Sequence, residues 1–421
     1  MLCVLAAAVS AAQTNVLTLA TVKQLAFAQN WNLLAAESSV DAAEAQWIMA
    51  REFPLSLSTY KIGDHNAGTP LGNGLWQRNY DSSVEVSQFF EIAGKRRDRQ
   101  LAARAGLLSA RARFIDARRT LDQGVTKAYV NALFAGENAR NLSTSAGYLR
   151  QVATIAQAQY TAGDLSESDL KTLQINAEQF ELQARSAEAA AVQARIAVEI
   201  LMGVERPAGD WIPGDTLAQL AGTVSSWPES GSGTNADRPD VLAARTDLQA
   251  AEDNLRLQKA ERIPDPTFFI GGEHNPPGDS PQVDTFNLGV SFPLPIWNLN
   301  GGSIKAARAA VTQSRLALAQ LQAQAVADRA TAESAYNEAF LRWLRYRDQT
   351  VPESAKVRAT IEFKYQKGAA TLVDLLNAEQ TDNTVRLALA QAMSDTASAA
   401  ADLTAATLAL STSDLNSNSG K

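Results

Sequence analysis

The sequence predicts a mainly α fold with a membrane β-barrel, in which long helices and β-hairpins occur twice along the chain. Three observations predict it. Segments recur at an offset of about 205 residues. The last helical segment of each copy carries a heptad seam. Short runs between the helices alternate apolar and polar residues.

The repeat is read from several pairs. "AARA" at 102–105 recurs at 306–309, and "VS" at 86–87 recurs at 290–291, both offset by 204. "YTAG" at 160–163 answers "YQKG" at 365–368, and Asp169-Leu170 answers Asp374-Leu375, both offset by 205. A period this long is a duplicated half-protein rather than a solenoid unit. The protein has only two histidines, His65 and His274, in "IGDHN" and "GGEHN". They are one hairpin position in two copies.

Composition agrees with long helices. Of 421 residues, 46% are hydrophobic but only 7% aromatic, so alanine and leucine carry much of the apolar content and favour closely packed helices. The net charge of −7 gives no general affinity for nucleic acid. The basic stretch "GKRRDR" at 94–99 is read as a solvated helix start or a contact with lipid headgroups. Cys3 is the single cysteine, and it lies in an apolar start at 1–12 that reads as a signal peptide. A mature chain without it has no thiol chemistry.

The elements follow in order. Residues 13–202 form the first copy: a helix over 18–52, a hairpin over 54–92, then long helices over 95–160 and 166–202. A Pro/Gly/Ser-rich, non-helical strap covers 203–237. Residues 238–410 form the second copy: a helix over 238–262, a hairpin over 264–293, then helices over 302–366 and 371–410. A disordered tail covers 411–421. Without proline between Pro70 and Pro207, the helix over 95–160 could extend about 100 Å at about 1.5 Å per residue. Gly147 and Pro352 stand at equivalent places and can weaken or kink their helices.

Leu170, Leu173, Ala177, Phe180, Ala184, Ala187, Ala191, Ala194, Val198 and Leu201 are spaced alternately by three and four, an a/d seam. The counterpart seam from Leu375 to Ala406 breaks the apolar rule only at Asp382 and Thr396. Leu101, Leu108 and Ile115 form one seam, and Leu107, Phe114 and Leu121 a second. Such a helix touches neighbours on both sides, as in a curved wall of helices.

"FNLGVSF" at 286–292 puts Phe286, Leu288, Val290 and Phe292 on one face, and "VEVSQFF" at 84–90 opposes Val84 and Val86 to Glu85 and Ser87. Alternation over lengths of about ten residues is the signature of a membrane barrel strand. Tyr60, Phe89, Phe90, Phe268, Phe269 and Trp297 are candidates for interfacial girdles or for an ordinary sheet core. Four strands cannot close around a pore, and an open sheet cannot sit in lipid. Several chains must then share one barrel.

Duplicated halves with Tyr-x-x-Gly followed by Asp-Leu at the helical turns resemble the TolC-like outer-membrane efflux channels over essentially the whole mature chain. "VSQFFEIAGKRRDR" at 86–99 and "RPDVLAARTDLQAAEDNLRLQKAERIPDP" at 238–266 resemble the CzcC-like subgroup, associated with metal-cation efflux by RND pumps. The resemblance implies a homotrimer whose twelve strands form one barrel in the outer membrane, with an α-barrel extending through the periplasm. It implies a periplasmic adaptor, an inner-membrane RND-type pump and outer-membrane lipid as partners, with no nucleic acid. It puts His65 and His274 in extracellular loops, as weak candidates for metal contact. It puts a periplasmic gate at Tyr365, Asp374 and Asn377. Ala370 and Asn377 depart from the family's arginine and second aspartate there. Adaptor contact falls at the tips: Gly163, Asp164, Leu165 and Ser166, with Gly368 and Thr371 as counterparts. No cofactor and no catalysis are expected. Multidrug export or type I secretion are alternatives within the channel class. A periplasmic adaptor or a coiled-coil scaffold is the alternative outside it.

Overall fold

The computed structural model describes residues 16–53, 55–64, 80–223, 238–274, 284–294 and 299–408. The apolar start, Pro54, His65, residues 224–237 of the strap, Trp297 and the tail lie outside them.

By internal contact the chain divides into two compact units: residues 1–37, 113–241 and 322–421 form one, and 38–112 with 242–321 form the other. The helices are α1 (Leu19–Gln29), α2 (Trp31–Arg51), α3 (Lys95–Ala162), α4 (Glu167–Leu201), α5 (Leu217–Thr223), α6 (Pro239–Ala260), α7 (Gly301–Arg345), α8 (Val351–Gln366) and α9 (Leu372–Thr407). The strands are β1 (Val16–Leu17), β2 (Leu57–Asp64), β3 (Tyr80–Phe89), β4 (Ile212–Pro213), β5 (Thr267–His274) and β6 (Thr285–Ser291).

In the first unit, the core gathers Val22, Ala26, Val125, Tyr129, Val198, Trp211, Trp343 and Ala397. The seam of α4 is the buried stripe: Leu170, Leu173, Ala184, Ala187, Ala191, Ala194 and Val198. The seam of α9 buries Leu375, Ala378, Ala392 and Ala399, and with them both breaks in the pattern, Asp382 and Thr396. Thr396 is fully buried, yet its hydroxyl is satisfied because it donates to the Ala392 carbonyl at 2.7 Å.

Three expectations are corrected here. The helix over 18–52 is two helices. Asn30 is extended, its Oδ1 accepts from Leu33 N at 3.1 Å to start α2, and its Nδ2 donates to the Leu201 carbonyl at 2.9 Å. The residue is a buried N-cap that ties the break to the end of α4. Gly203 (φ +80°) follows that end, and a Cβ there would stand 2.3 Å from the Gln29 carbonyl oxygen.

The strap is not free of secondary structure. β4 pairs in parallel with β1, and α5 follows it. Thr216 and Gln219 form a reciprocal cap, with Gln219 N donating to Thr216 Oγ1 at 3.3 Å and Thr216 N to Gln219 Oε1 at 2.9 Å. Leu217 and Ala221 then drop into the core, so burial of a short apolar face outweighs the surrounding Pro and Gly.

The helix over 302–366 is interrupted by a π-helical turn at Tyr346–Thr350, just before Pro352. Proline has no N–H and its ring crowds the carbonyl four residues back; one wider turn relieves both. Gly147, by contrast, lies inside the uninterrupted α3.

The second unit holds an antiparallel sheet in the order β2-β3-β5-β6. Val84 pairs with Gly272, Val86 with Ile270, Phe268 with Val290, and Ile270 with Leu288. Directly paired residues share a face. One face therefore carries Val84, Val86, Phe268, Ile270, Phe286, Leu288 and Val290, all of them exposed. The other carries Thr59, Lys61, Glu85, Ser87, Glu273, Asn287 and Ser291. The girdle candidates divide between the faces. Tyr60 and Phe268 share the apolar one, while Phe89 and Phe269 fall on the polar one by register. The Phe269 ring lies against Gly289, where a Cβ would meet its Cζ at 2.4 Å. Among the described residues, β2 and β6 are unpaired along their outer edges. At the foot of this sheet, Lys95 donates to Asp265 Oδ2 and to the Ile263 carbonyl, each at 2.6 Å, with both side chains of the ion pair buried.

Candidate functional site

The two helical turns are built alike. α3 ends at Gly163 (φ +87°), where Gly163 N donates to the Tyr160 carbonyl and Asp164 N to the Gln159 carbonyl. α8 ends at Gly368 (φ +72°), where Gly368 N donates to the Tyr365 carbonyl and Ala369 N to the Lys364 carbonyl. Both are paired 6→1 and 5→2 closures, which need a left-handed residue that glycine supplies without a Cβ penalty.

The helices that follow are capped alike too. Ser166 Oγ accepts from Asp169 N at 3.1 Å and donates to Asp169 Oδ2 at 2.8 Å. Thr371 Oγ1 accepts from Asp374 N at 3.2 Å, while Asp374 Oδ2 accepts from Thr371 N at 2.9 Å and from its hydroxyl at 2.7 Å. This is a complete capping box. Asp374 is exposed. The Thr371 hydroxyl, and then its backbone N–H, hold the carboxyl below the usual carboxylate range.

The tips meet in one apolar cluster. Ala156, Leu170, Leu173 and Leu372 are buried there, and Leu165 and Tyr365 pack against them. Burial, then the charge of Asp169, raises the Tyr365 phenol. Gly163, Asp164 and Gly368 are exposed at the turns, and Asn377 is exposed farther along α9. The structure thus brings Tyr365 onto the first-copy turn, commits Asp374 to the cap, and leaves Asn377 open.

Behind the tip lies a cluster that sequence reasoning did not assign. Arg358 Nη1 donates to Glu379 Oε2 at 3.1 Å, and its Nε lies 3.5 Å from Asp382 Oδ2. Arg386 Nε donates to Asp382 Oδ2 and Ser354 Oγ to Asp382 Oδ1, both at 2.7 Å. Glu379 and Asp382 are each 4% exposed. Burial works against the Asp382 charge, but Arg386, Ser354 and Arg358 outweigh it and hold the carboxyl below its usual range. Arg358 also faces the Tyr148 ring of α3, whose phenol is pushed up to about 12 by burial and then by the charges of Glu362 and Glu379. The one signal in the sequence was the break of the seam at Asp382.

His274 is paired. Its Nδ1 lies 2.7 Å from Asp284 Oδ1. Strand alternation sets it on the face of Phe268 and Ile270 rather than on the polar face. His65 lies outside the described residues. Among the described residues no group of three His, Cys, Asp or Glu could hold a metal ion. Nor is any helix there long and apolar enough to cross a membrane.

Comparison with known proteins agrees with this architecture. Residues 22–204 and 232–407 match the model of the outer membrane efflux protein family. The chain is 24% identical over 296 residues to the cobalt-zinc-cadmium resistance protein CzcC of Cupriavidus metallidurans, covering 69% of this chain. It is 24% identical over 308 residues to the pyoverdine export outer membrane protein OpmQ of Pseudomonas aeruginosa, covering 70% of this chain. These matches span 66% and 64% of those relatives' own lengths, just under two thirds. A crystal structure of CusC superposes with a TM-score of 0.77 at 17% identity, covering 93% of this chain and 92% of that one. The CmeC outer membrane channel of Campylobacter jejuni superposes with a TM-score of 0.74 at 18% identity, covering 94% and 88%. The duplicated helical and hairpin fold is the one these channels share, and the chain belongs to the outer membrane efflux protein family, a family of outer-membrane transport proteins rather than enzymes.

Proposed function

We propose that this chain is one protomer of a passive export conduit for metal cations. Three copies share a twelve-stranded barrel, and their helices carry the passage through the periplasm to an adaptor and an RND-type inner-membrane pump. The single observation that supports this most is the four-stranded sheet, apolar and exposed on one face, polar on the other, and, among the described residues, unpaired at both outer edges. Eight-residue strands such as β2 and β5 span about 26 Å at ~3.3 Å per residue before tilt, close to the apolar band of about 25 Å in outer-membrane barrels. Edge N–H and C=O groups find partners in lipid only if another copy supplies the next strand.

In this reading the two-copy organisation, 13–202 and 238–410, gives each protomer two hairpins and two helical tips. Tyr365, Asp374 and Asn377 line the periplasmic opening. Gly163, Asp164, Leu165, Ser166, Gly368 and Thr371 meet the adaptor. Metal cargo is supported by the similarity to CzcC. Export of an organic metabolite is the second reading, supported by equal identity to OpmQ.

Native mass of the protein extracted in mild detergent tests the assembly. A trimer is expected, and a monomer released without detergent overturns it. Complementation of a strain lacking the gene tests the cargo. Restored tolerance to zinc and cobalt is expected, and restored secretion of an organic metabolite without metal tolerance selects the second reading.

A further inference from the structure

Where β3 ends and α3 begins, the second unit holds a recess of about 280 Å³ lined by Phe53, Gln88, Phe89, Phe90, Glu91 and Arg96. Its wall is mostly apolar side chain. Phe90 is set edge-on to Phe268 at 5.4 Å between ring centres, so the recess opens beside the apolar face of the sheet. Phe53, Leu55, Ile92, Phe292 and Leu294 are exposed near this end of the strands, Leu55 at 94%.

Arg96 stands in the wall. Its guanidinium carbon lies 3.7 Å from the centre of the Phe53 ring, and its Nη2 donates to the Arg51 carbonyl. Its Nε is buried and has no hydrogen-bond partner. An N–H of a guanidinium withdrawn from water and left without an acceptor is costly, and an anionic oxygen is the acceptor that suits it best. The following residue, Arg97, lies outside the lining; it keeps 75% of its side chain exposed and its Nη2 is 3.4 Å from Asp98 Oδ1. The acid in the lining does not compete for Arg96, because both Glu91 oxygens accept from Arg99. Lys95 is likewise occupied by Asp265.

An apolar recess continuous with a lipid-type surface, with an unsatisfied guanidinium N–H in its wall and a solvent-exposed guanidinium on the next residue, has the two halves of one ligand. We propose that this recess is a specific site for a glycerophospholipid: an acyl chain lies against Phe53 and Phe90, and the phosphate is held by Arg96, with the exposed Arg97 adding positive charge at the next position. The inference rests on the outer-membrane placement of the sheet and adds a stoichiometric lipid to it. Such a lipid fixes the depth of the barrel at the leaflet on the helical side, because its phosphate and the start of α3 are held at one level.

The test is native mass spectrometry of the intact, delipidated protein in detergent, with three probes added separately: phosphatidylglycerol, diacylglycerol and inorganic phosphate. Retention of one phosphatidylglycerol per chain is expected, with neither diacylglycerol nor phosphate retained at equal concentration. Arg96→Gln and Arg97→Gln should each weaken phosphatidylglycerol retention, together by about tenfold or more. Gln88→Trp, which fills the recess and leaves both arginines, should abolish it. The oligomer mass read in the same spectra reports folding. Equal retention of diacylglycerol overturns the phosphate contact, and retention of free phosphate overturns the acyl contact. Undiminished lipid in the variants overturns the site while leaving a trimeric channel intact. A chain that is monomeric without detergent defeats the channel reading itself.

Discussion

Arg358 on α8 reaches Glu379 on α9 at 3.1 Å, and the carboxylate it meets is almost wholly withdrawn from water. With Asp382, Arg386 and Ser354, the pair fastens α8 to α9 below the π-helical turn that precedes Pro352. A charge cluster inside an alanine-rich seam fixes register where small apolar residues would allow sliding.

Removing one partner exposes this dependence. Arg358→Met leaves two buried carboxylates short of a counter-charge and should destabilise the lower α8–α9 pair by about 3 kcal/mol. Hydrogen exchange localised to Val351–Thr407 is the measurement, and unchanged protection there contradicts the role given to the cluster. Acid acts in the same direction. The folded pKa of Asp382 is depressed, so its contribution is present above the unfolded value of about 3.9 and is lost as pH falls through the folded value.

The cap and the charge at the second tip can be separated. Thr371→Val removes the hydroxyl from the box and should speed amide exchange in the first turn of α9 while leaving Asp374 charged. Asp374→Asn removes the charge. If three copies of Asp374 ring the opening, only Asp374→Asn lowers cation selectivity in bilayer recordings. Loss of selectivity in both variants would assign the effect to tip structure instead. Because the folded pKa of Asp374 is depressed, the cap should weaken only as pH falls below the ordinary carboxylate range.

Tyr129 ties the strap to the core. Its hydroxyl lies 2.9 Å from the Leu17 carbonyl and 3.0 Å from Asp215 Oδ2, which also accepts from Leu19 N at 2.7 Å. Its ring stacks on Trp211 at 5.7 Å. Tyr129→Phe keeps the stack and loses the hydrogen bonds, at a cost of about 2 kcal/mol. Denaturant unfolding followed by tryptophan fluorescence measures it. Burial, with the Asp215 hydrogen bond and charge behind it, raises the Tyr129 phenol, so this tyrosine should stay protonated in an alkaline absorbance titration after exposed tyrosines ionise.

The foot of the sheet depends on one buried ion pair. Asp265→Ala leaves Lys95 buried beside the Ile263 carbonyl alone and should cost about 3–5 kcal/mol. Asp265 also accepts from Ile92 N at 2.8 Å, so the bend from β3 into α3 loosens as well. Limited proteolysis near residues 90–95 should rise in the variant; resistance equal to wild type would show the bend to be held by other contacts.

The sheet itself offers a steric test. Gly289→Val sets a side chain against the end of the Phe269 ring, which must swing aside to admit even a Cβ. Folded oligomer in the outer membrane should fall, and Phe269→Ala in the same chain should restore it.

Much of this architecture was legible in one dimension. The duplication, the heptad seams, the two Tyr-x-x-Gly turns and the alternation of "FNLGVSF" are local patterns set by helical and strand periods. They carried the fold class, the two tips and the apolar face of the sheet, because each needs only the spacing of residue types along the chain. The sequence could not say that Asp382 and Thr396 lie in the seam rather than interrupt it, because a buried polar residue is tolerable only when a partner from elsewhere meets it. Arg358, 24 residues before Asp382, becomes that partner only once α8 and α9 pack. Nor could it divide the helix at Asn30, whose amide answers Leu201 across 171 residues, or turn Phe269 onto Gly289. Periodicity is written in the order of residues. The satisfaction of buried polar groups and the close approach of rings to glycines belong to contacts between distant segments, and only the tertiary structure decided them.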